Sequence, residues 1–328
     1  MKRILLGVVF LAGVLSTIAA GTLYKRTLLL MGSDFEITVM ADNSDLGEGY
    51  IDMAVMEIQR IEQLISSWDP NSQTSAINKN AGIQPVKVDV ELFKLIERAK
   101  LISILSDGAF DISYASMDRI WKFDGSMVSM PSVDVVKASI QKVGYEKIQL
   151  DSENQTVFLS QQGMKIGFGG IGKGYAADKA KELLKRIGVK AGIINASGDM
   201  STWGTGEDGA VWKIAITNPK DKDKAFGMLS ITDKAVVTSG DYEKFVSFNG
   251  TRYSHIINPK TGYPCQGIIS VTVLAPKAEM ADALATSIFV MGIEVGLDRI
   301  NQIPQVECII IDAQGNVHQS NNIEIQPL

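Results

Sequence analysis

Cysteine and histidine are scarce in this chain of 328 residues: two of each, Cys265 and Cys308, His255 and His318. So few soft ligands cannot build a typical structural zinc site. Two cysteines supply one disulfide at most, and sequence does not give the distance between them, so paired and free states both stay open. No cluster of Lys and Arg appears; the formal net charge is −5 and the pI is near 5.3. A nucleic-acid partner would call for a basic face, so that class of partner is not expected. No short-period repeat, low-complexity tract or Pro/Gly linker divides the chain.

What is present begins with an apolar run, Ile4–Leu15, behind Lys2 and Arg3 and followed by the small residues around Ala19-Ala20. This pattern reads as a secretory signal peptide over residues 1–20, cut near Ala20. An N-terminal membrane anchor is the alternative. Either implies export, to a periplasmic site or to an inner-membrane anchor facing the periplasm. The whole chain is 45% hydrophobic and 21% charged, a composition that packs a globular core. Residues 24–328 are expected to form one unit.

The densest signal is Ile166-Gly-Phe-Gly-Gly-Ile-Gly-Lys-Gly-Tyr175, with five glycines within eight residues just before a helical pattern. Glycine admits positive φ and close backbone approach. A helix start offers free N–H groups and partial positive charge, a seat for phosphate. Gly167, Gly169 and Gly172 fit the dinucleotide fingerprint, but the acidic partner ~20 positions on is missing. Gly167 to Lys173 fit a P-loop, but Gly174 stands where Ser or Thr should bind magnesium. A tight turn without ligand also satisfies the pattern.

Strands are predicted over Arg26–Leu30 and Phe35–Met40, around a turn from Met31 to Asp34. A helix capped by Asp45 follows, with Ala54, Ile58, Ile61 and Ile65 on one face. Further helices are predicted at Val90–Leu105, from Ser132, at Tyr175–Ile187 and, as one long element, at Ala278–Ile300. Lys165–Phe168 reads as a strand entering the glycine turn. Hairpins dominate elsewhere: Lys147–Leu150 with Thr156–Leu159, the strands flanking Asn249-Gly250, and Cys308–Ile311 with Val317–Gln319. More hairpins than strand–helix–strand units argue for an α+β fold with a largely antiparallel sheet.

Several residues could carry chemistry. Asp282 and Thr286 share one face of the late helix among small alanines, and such oxygens suit a hard cation. The same spacing also fits a first-turn aspartate with a packed threonine. His255 precedes the Pro259–Gly262 turn, as an acid–base group or a structural one. Asp111 follows Ala109-Phe110 in a loop. Trp68 could stack on a planar ring or staple its loop.

These segments occur in an order that resembles the ApbE family, the FAD:protein FMN transferases. The resemblance rests on Met31-Gly32-Ser33, Ser72–Asn78, Gly108–Asp111, Gly169–Asp178, Asn195–Asp199, Thr238–Tyr242, His255–Gly262 and Asp282–Thr286. It implies a T-fold-like α+β architecture. It implies Mg2+-dependent transfer of FMN from FAD to a threonine or serine hydroxyl, with AMP released. The implied acceptor is a flavoprotein subunit of a membrane electron-transport complex. The resemblance further implies metal ligands at Asp282, Thr286 and the Gly172 carbonyl, and a general base at His255. It places Met31, Trp68, Ala109, Phe110, Asp111, Gly169, Lys173, Tyr175 and Ile257 around the dinucleotide. An FAD pyrophosphatase or a non-catalytic exported flavin-binding protein would use the same groups.

Overall fold

A tight hairpin starts the described part of the computed structural model, which covers residues 21–218, 221–240, 245–248 and 250–326. β1 (Thr22–Leu30) and β2 (Ser33–Ala41) pair antiparallel, with Leu30 opposite Ser33. Met31 and Gly32 alone make the turn, at φ 51° and 70°. Two positive φ values in succession match the twist of the flanking strands, so the turn is shorter than predicted. The 1–20 segment lies outside the described residues, and among these no helix is long and apolar enough to cross a membrane.

α1 (Ser44–Ile65) starts one residue before the predicted cap. Asn43, not Asp45, accepts the Leu46 N–H at 3.0 Å, while Asp45 sits in the first turn and favours the helix dipole. The predicted apolar face is buried. α2 (Gln73–Lys79), capped by Ser72, was not anticipated. β3 (Val86–Lys87), β4 (Ile148–Asp151) and β5 (Thr156–Leu159) form a small side sheet. α3 (Val90–Leu105) has the predicted bounds, and Ser132 caps α4 (Val133–Ser139) as expected.

Lys165–Phe168 is not a strand. Its backbone is held by side chains instead. Asn78 Nδ2 donates to the Ile166 carbonyl at 3.0 Å, and its Oδ1 accepts the Ile166 N–H at 2.8 Å. Ser116 Oγ bonds both polar groups of Lys165, each at 2.7 Å. These side chains take the place of a neighbouring strand.

α5 (Gly172–Arg186) begins three residues earlier than predicted, which puts Gly172 and Gly174 inside its first turn. Then come β6 (Gly192–Ala196), β7 (Asp199–Trp203), β8 (Trp212–Asn218), β9 (Asp221–Ile231) and β10 (Ala235–Gly240). β11 (Phe245–Phe248) and β12 (Thr251–Ser254) form the expected hairpin; Asn249 of its turn lies outside the described residues. β13 (Ile268–Ala275) leads to the late helical segment. That segment is two helices, α6 (Ala278–Met291) and α7 (Ile293–Asn301), because Gly292 at φ 82° breaks the predicted single helix. β14 (Glu307–Asp312) and β15 (Val317–Gln319) close the chain as a hairpin.

The main sheet runs β1-β2-β6-β7-β10-β13-β14-β15, antiparallel at every pairing. Alternate residues face opposite layers. Val39, Val237, Val273 and Ile310 join the core under α1, α5 and α6. Their neighbours Met40, Val236, Leu274 and Ile309 pack instead against Trp212, Ile214 and Leu229 of the β8–β9 hairpin. Both faces of the sheet are therefore covered. Each fully buried Val, Leu or Ile side chain contributes about 2 kcal/mol relative to exposure. The fold is α+β with antiparallel sheets, as predicted. Cys265 and Cys308 are both free thiols, with Cys308 buried in β14.

Candidate active site

Two hairpin turns lie side by side at one end of the main sheet, because Phe35 pairs with Ala196. One is Met31-Gly32. The other is Ser197-Gly198, again two residues at positive φ (55° and 99°) between β6 and β7. Asn195 Oδ1 accepts the Gly198 N–H at 2.8 Å and locks that turn. Methionine and serine seldom adopt this backbone region, and such strain gathers at functional sites. The glycine turn that opens α5 comes to this same end: a Cβ built on Gly172 would stand 3.9 Å from Met31 Cε.

The glycine turn and α6 meet directly. A Cβ built on Gly170 would lie 3.2 Å from Thr286 Oγ1 and 3.5 Å from the Phe110 ring. One at Gly174 would sit 2.3 Å from the Ala278 carbonyl oxygen, an overlap that only glycine avoids. The Gly174 N–H donates to Asp282 Oδ2 at 3.4 Å. Nothing stands within 4 Å of a Cβ on Gly169, which faces open space. Asp282 is buried, whereas Thr286, one turn on, is half exposed within an otherwise buried run from Ala281 to Phe289. The pair therefore forms a ladder from the interior to the open side.

Asp199, the first residue of β7, completes the centre. Lys173 Nζ donates to its Oδ2 at 2.7 Å, and its carboxyl lies close enough to that of Asp282 for each to act on the other's protonation. Burial raises the affinity of Asp199 for protons, against the pull of Lys173. Burial raises that of Asp282 well above the usual carboxylate range, and the charge of Asp199 adds to it. Two buried carboxyls facing one ammonium favour a shared proton. They equally favour a divalent cation, which would replace that proton.

The donor set indicates which cation. Among the described residues no three His, Cys, Asp or Glu side chains group as a metal cage. Asp282 and Thr286 offer hard oxygens, and the amides of Gly169 and Gly170 can receive phosphate, those of Gly167, Gly172 and Gly174 being engaged within the protein. Mg2+ keeps few protein ligands and completes its shell with water and phosphate oxygens, so the residues fit it.

The remaining predicted residues divide into three groups. Ala109, Phe110 and Asp111 run beside the glycine turn, where Gly167 N–H donates to the Ile112 carbonyl at 2.9 Å. Asp111 is buried and accepts the Ser113 N–H at 2.7 Å; burial raises its pKa. Trp68, His255 and Ile257 adjoin the loop 117–131. Trp68 is 76% exposed and stacks on Arg119 at 4.6 Å. His255 is exposed, its ring set edge-on to Phe123 at 6.5 Å, while Ile257 is buried in a small cluster with Met117 and Trp121. Tyr175 stands apart: its hydroxyl donates to Glu91 at 2.7 Å, and it lines a separate cleft with Arg60, Arg98 and Lys179. Asp241 and Tyr242 of the Thr238–Tyr242 segment lie outside the described residues.

Sequence reasoning gave Asp199 no role. Its only local signal was a carboxylate directly after a Ser-Gly turn, which turn chemistry alone explains. Its pairing with Lys173 and Asp282 joins three distant segments.

A glycine-rich helix start that meets one buried and one half-exposed hard oxygen, on an antiparallel α+β frame, is the arrangement of an enzyme with a polar substrate. The sequence profile of the ApbE family matches residues 31–310. An FAD:protein FMN transferase of Klebsiella pneumoniae (strain 342) is 30% identical over 290 residues, covering 88% of this chain and 89% of its own. One from Treponema pallidum (strain Nichols) is 31% identical over 281 residues, covering 81% and 78%. The crystal structure of the ApbE protein from Thermotoga maritima superposes with a TM-score of 0.82 at 30% identity, covering 92% of this chain and 97% of that one. The chain belongs to the ApbE family, and it is a transferase.

Proposed function

We propose that this enzyme transfers FMN from FAD to a threonine or serine hydroxyl of an acceptor flavoprotein, with Mg2+, and releases AMP. The observation that carries the reading is the meeting of the glycine turn with Asp282 and Thr286 at Gly170 and Gly174. The names of the relatives point to the same substrate. The acceptor oxygen forms a bond to the FMN phosphorus, and the bond from that phosphorus to the bridging oxygen breaks. AMP leaves with the bridging oxygen. His255 takes the hydroxyl proton; it is exposed, as a base that must meet a protein acceptor needs to be.

Asp282 and Thr286 would hold the ion. When bound, Mg2+ offsets charge that builds on the diphosphate as AMP departs. The amides of Gly169 and Gly170 receive phosphate oxygens, Gly169 on the open side of the turn. Lys173 contributes positive charge beside them. The acceptor is a flavoprotein subunit of a membrane electron-transport complex, and the enzyme acts on the periplasmic side, free or anchored. The charged start and apolar run of residues 1–20 support that location.

The test is mass spectrometry of a candidate acceptor after incubation with enzyme, FAD and Mg2+. Addition of one FMN, lost in Asp282→Ala, is the expected result. AMP and free FMN without an acceptor adduct would mean that water is the acceptor and the enzyme a pyrophosphatase. FAD binding without AMP would leave only a flavin-binding protein.

A further inference from the structure

Asp178 is a buried carboxylate that the reaction does not use, and it joins three elements. It lies on α5, 6% exposed. Its Oδ1 accepts the Ser201 hydroxyl of β7 at 2.7 Å, and its Oδ2 accepts the Glu279 N–H of α6 at 3.0 Å. Glu279 is the second residue of α6, a first-turn amide that the helix's own N-cap residue Lys277 leaves without a side-chain cap. A helix start is normally capped by its own chain. Here the cap is supplied by the neighbouring helix.

We propose that Asp178 is a positioning residue that sets the approach of α6 to α5, and thereby of Asp282 and Thr286 to the glycine turn. The inference rests on the function proposed above. Asp178 is one helical turn beyond Gly174, and Ala278 is one turn before Asp282. The fastening therefore sits about 5 Å behind the site on both helices. The backbones touch between these points, since Gly174 leaves no room for a Cβ against Ala278. A second fastening holds the same turn of α6 to α3: Arg98 Nε and Nη2 donate to the Glu279 carboxylate at 2.5 and 3.0 Å. Sliding α6 along α5 would break both. It would also alter the spacing of the ladder from Asp282 to Thr286 against Gly170.

Asp178→Asn keeps the shape but removes the negative charge beside the start of α6 and leaves one accepting oxygen where there were two. The expected result is a rise of about tenfold in the Mg2+ concentration that half-saturates FMN transfer, the scale of an outer partner of a metal ligand. Calorimetric titration of the purified variant with Mg2+ alone is expected to show the same weakening, and the KM for FAD at saturating Mg2+ a smaller change. A lower melting temperature with unchanged Mg2+ titration and unchanged kcat would make Asp178 structural only, and would overturn the inference. If Asp178→Asn does not accumulate as folded protein, Ser201→Ala carries the test, because it removes one bond that aims the carboxylate. A smaller weakening of Mg2+ binding, about twofold, is then expected, and no weakening overturns the inference. Failure of the unaltered enzyme to bind Mg2+ or to transfer FMN would instead remove the proposed function itself.

Discussion

The ammonium of Lys173 stands 2.7 Å from Asp199 Oδ2, and the negative charge of Asp199 bears on the buried carboxyl of Asp282. One cation from α5 thus serves two buried acids, from β7 and α6. The side chain of Asp199 is 3% exposed, so water screens this contact little.

Lys173→Met removes the only charge of that contact which opposes the acids. A buried ion pair broken on one side is destabilised by about 3 kcal/mol. Urea denaturation at neutral pH is expected to show a loss of that order. Added Mg2+ is expected to restore part of it, because a divalent ion takes over the neutralising role. A variant as stable as the parent in the absence of Mg2+ would mean that Asp199 is already uncharged there.

Stability in the absence of metal is expected to fall as pH rises. Burial raises the pKa of Asp199 and of Asp282, the latter strongly. A carboxyl whose folded pKa is raised favours the folded state while protonated. That contribution is complete below the unfolded value, near about 4, and is lost as pH rises through the folded value. Mg2+ at the proposed site would bind the ionised Asp282 oxygens and so compete with the proton. Its stabilising effect on the melting temperature is expected to be large at about pH 8 and to shrink towards about pH 5. Equal shifts at both ends would exclude these carboxyls as the ion's ligands.

Gly174→Ala is expected to damage the site through packing alone. The added Cβ would meet the Ala278 carbonyl oxygen at 2.3 Å, and that atom is backbone, which cannot turn aside. Overpacking of this kind costs about 2 kcal/mol. Thermal unfolding measures that loss. FMN transfer at a temperature where the variant is still folded is expected to fall too, since separating α5 from α6 draws Asp282 off the Gly174 amide. Full transfer by a destabilised variant would show that the helix spacing does not matter to the chemistry.

How much of this was legible in the sequence depends on the range of the interaction. α3 was read to the residue, because Leu92, Leu95, Ala99 and Ile102 keep one face and Gly108 at φ 71° follows its end. The β4–β5 hairpin was equally plain. Periodicity misled at Gly292, because the apolar pattern continues across it and an interior glycine costs only about 1 kcal/mol; its φ of 82° is a tertiary outcome. α2 is seven residues long, too short for a periodic signal. Lys165–Phe168 has the apolar content of a strand, yet Asn78 and Ser116 take its hydrogen bonds. The meeting of the glycine turn with Asp282 and Thr286 was expected from family resemblance. The partnership of Asp199 with Lys173 and Asp282, and that of Asp178 with Ser201 and Glu279, join residues far apart in the chain.

His255 offers a prediction that separates the two halves of the reaction. It is exposed and set against Phe123, in the chain just beyond β12. His255→Gln keeps a polar side chain of similar reach but cannot take up a proton at neutral pH. FAD binding, read by quenching of flavin fluorescence, is therefore expected to be unchanged. Transfer to the acceptor hydroxyl is expected to fall by about 100-fold, the low end of what a positioned general base contributes. Raising the pH is expected to recover part of the loss, as hydroxide supplies the missing base. A variant that transfers FMN at the parental rate would assign proton removal to another group, and a variant that no longer binds FAD would move His255 from the acceptor side of the site to the dinucleotide side.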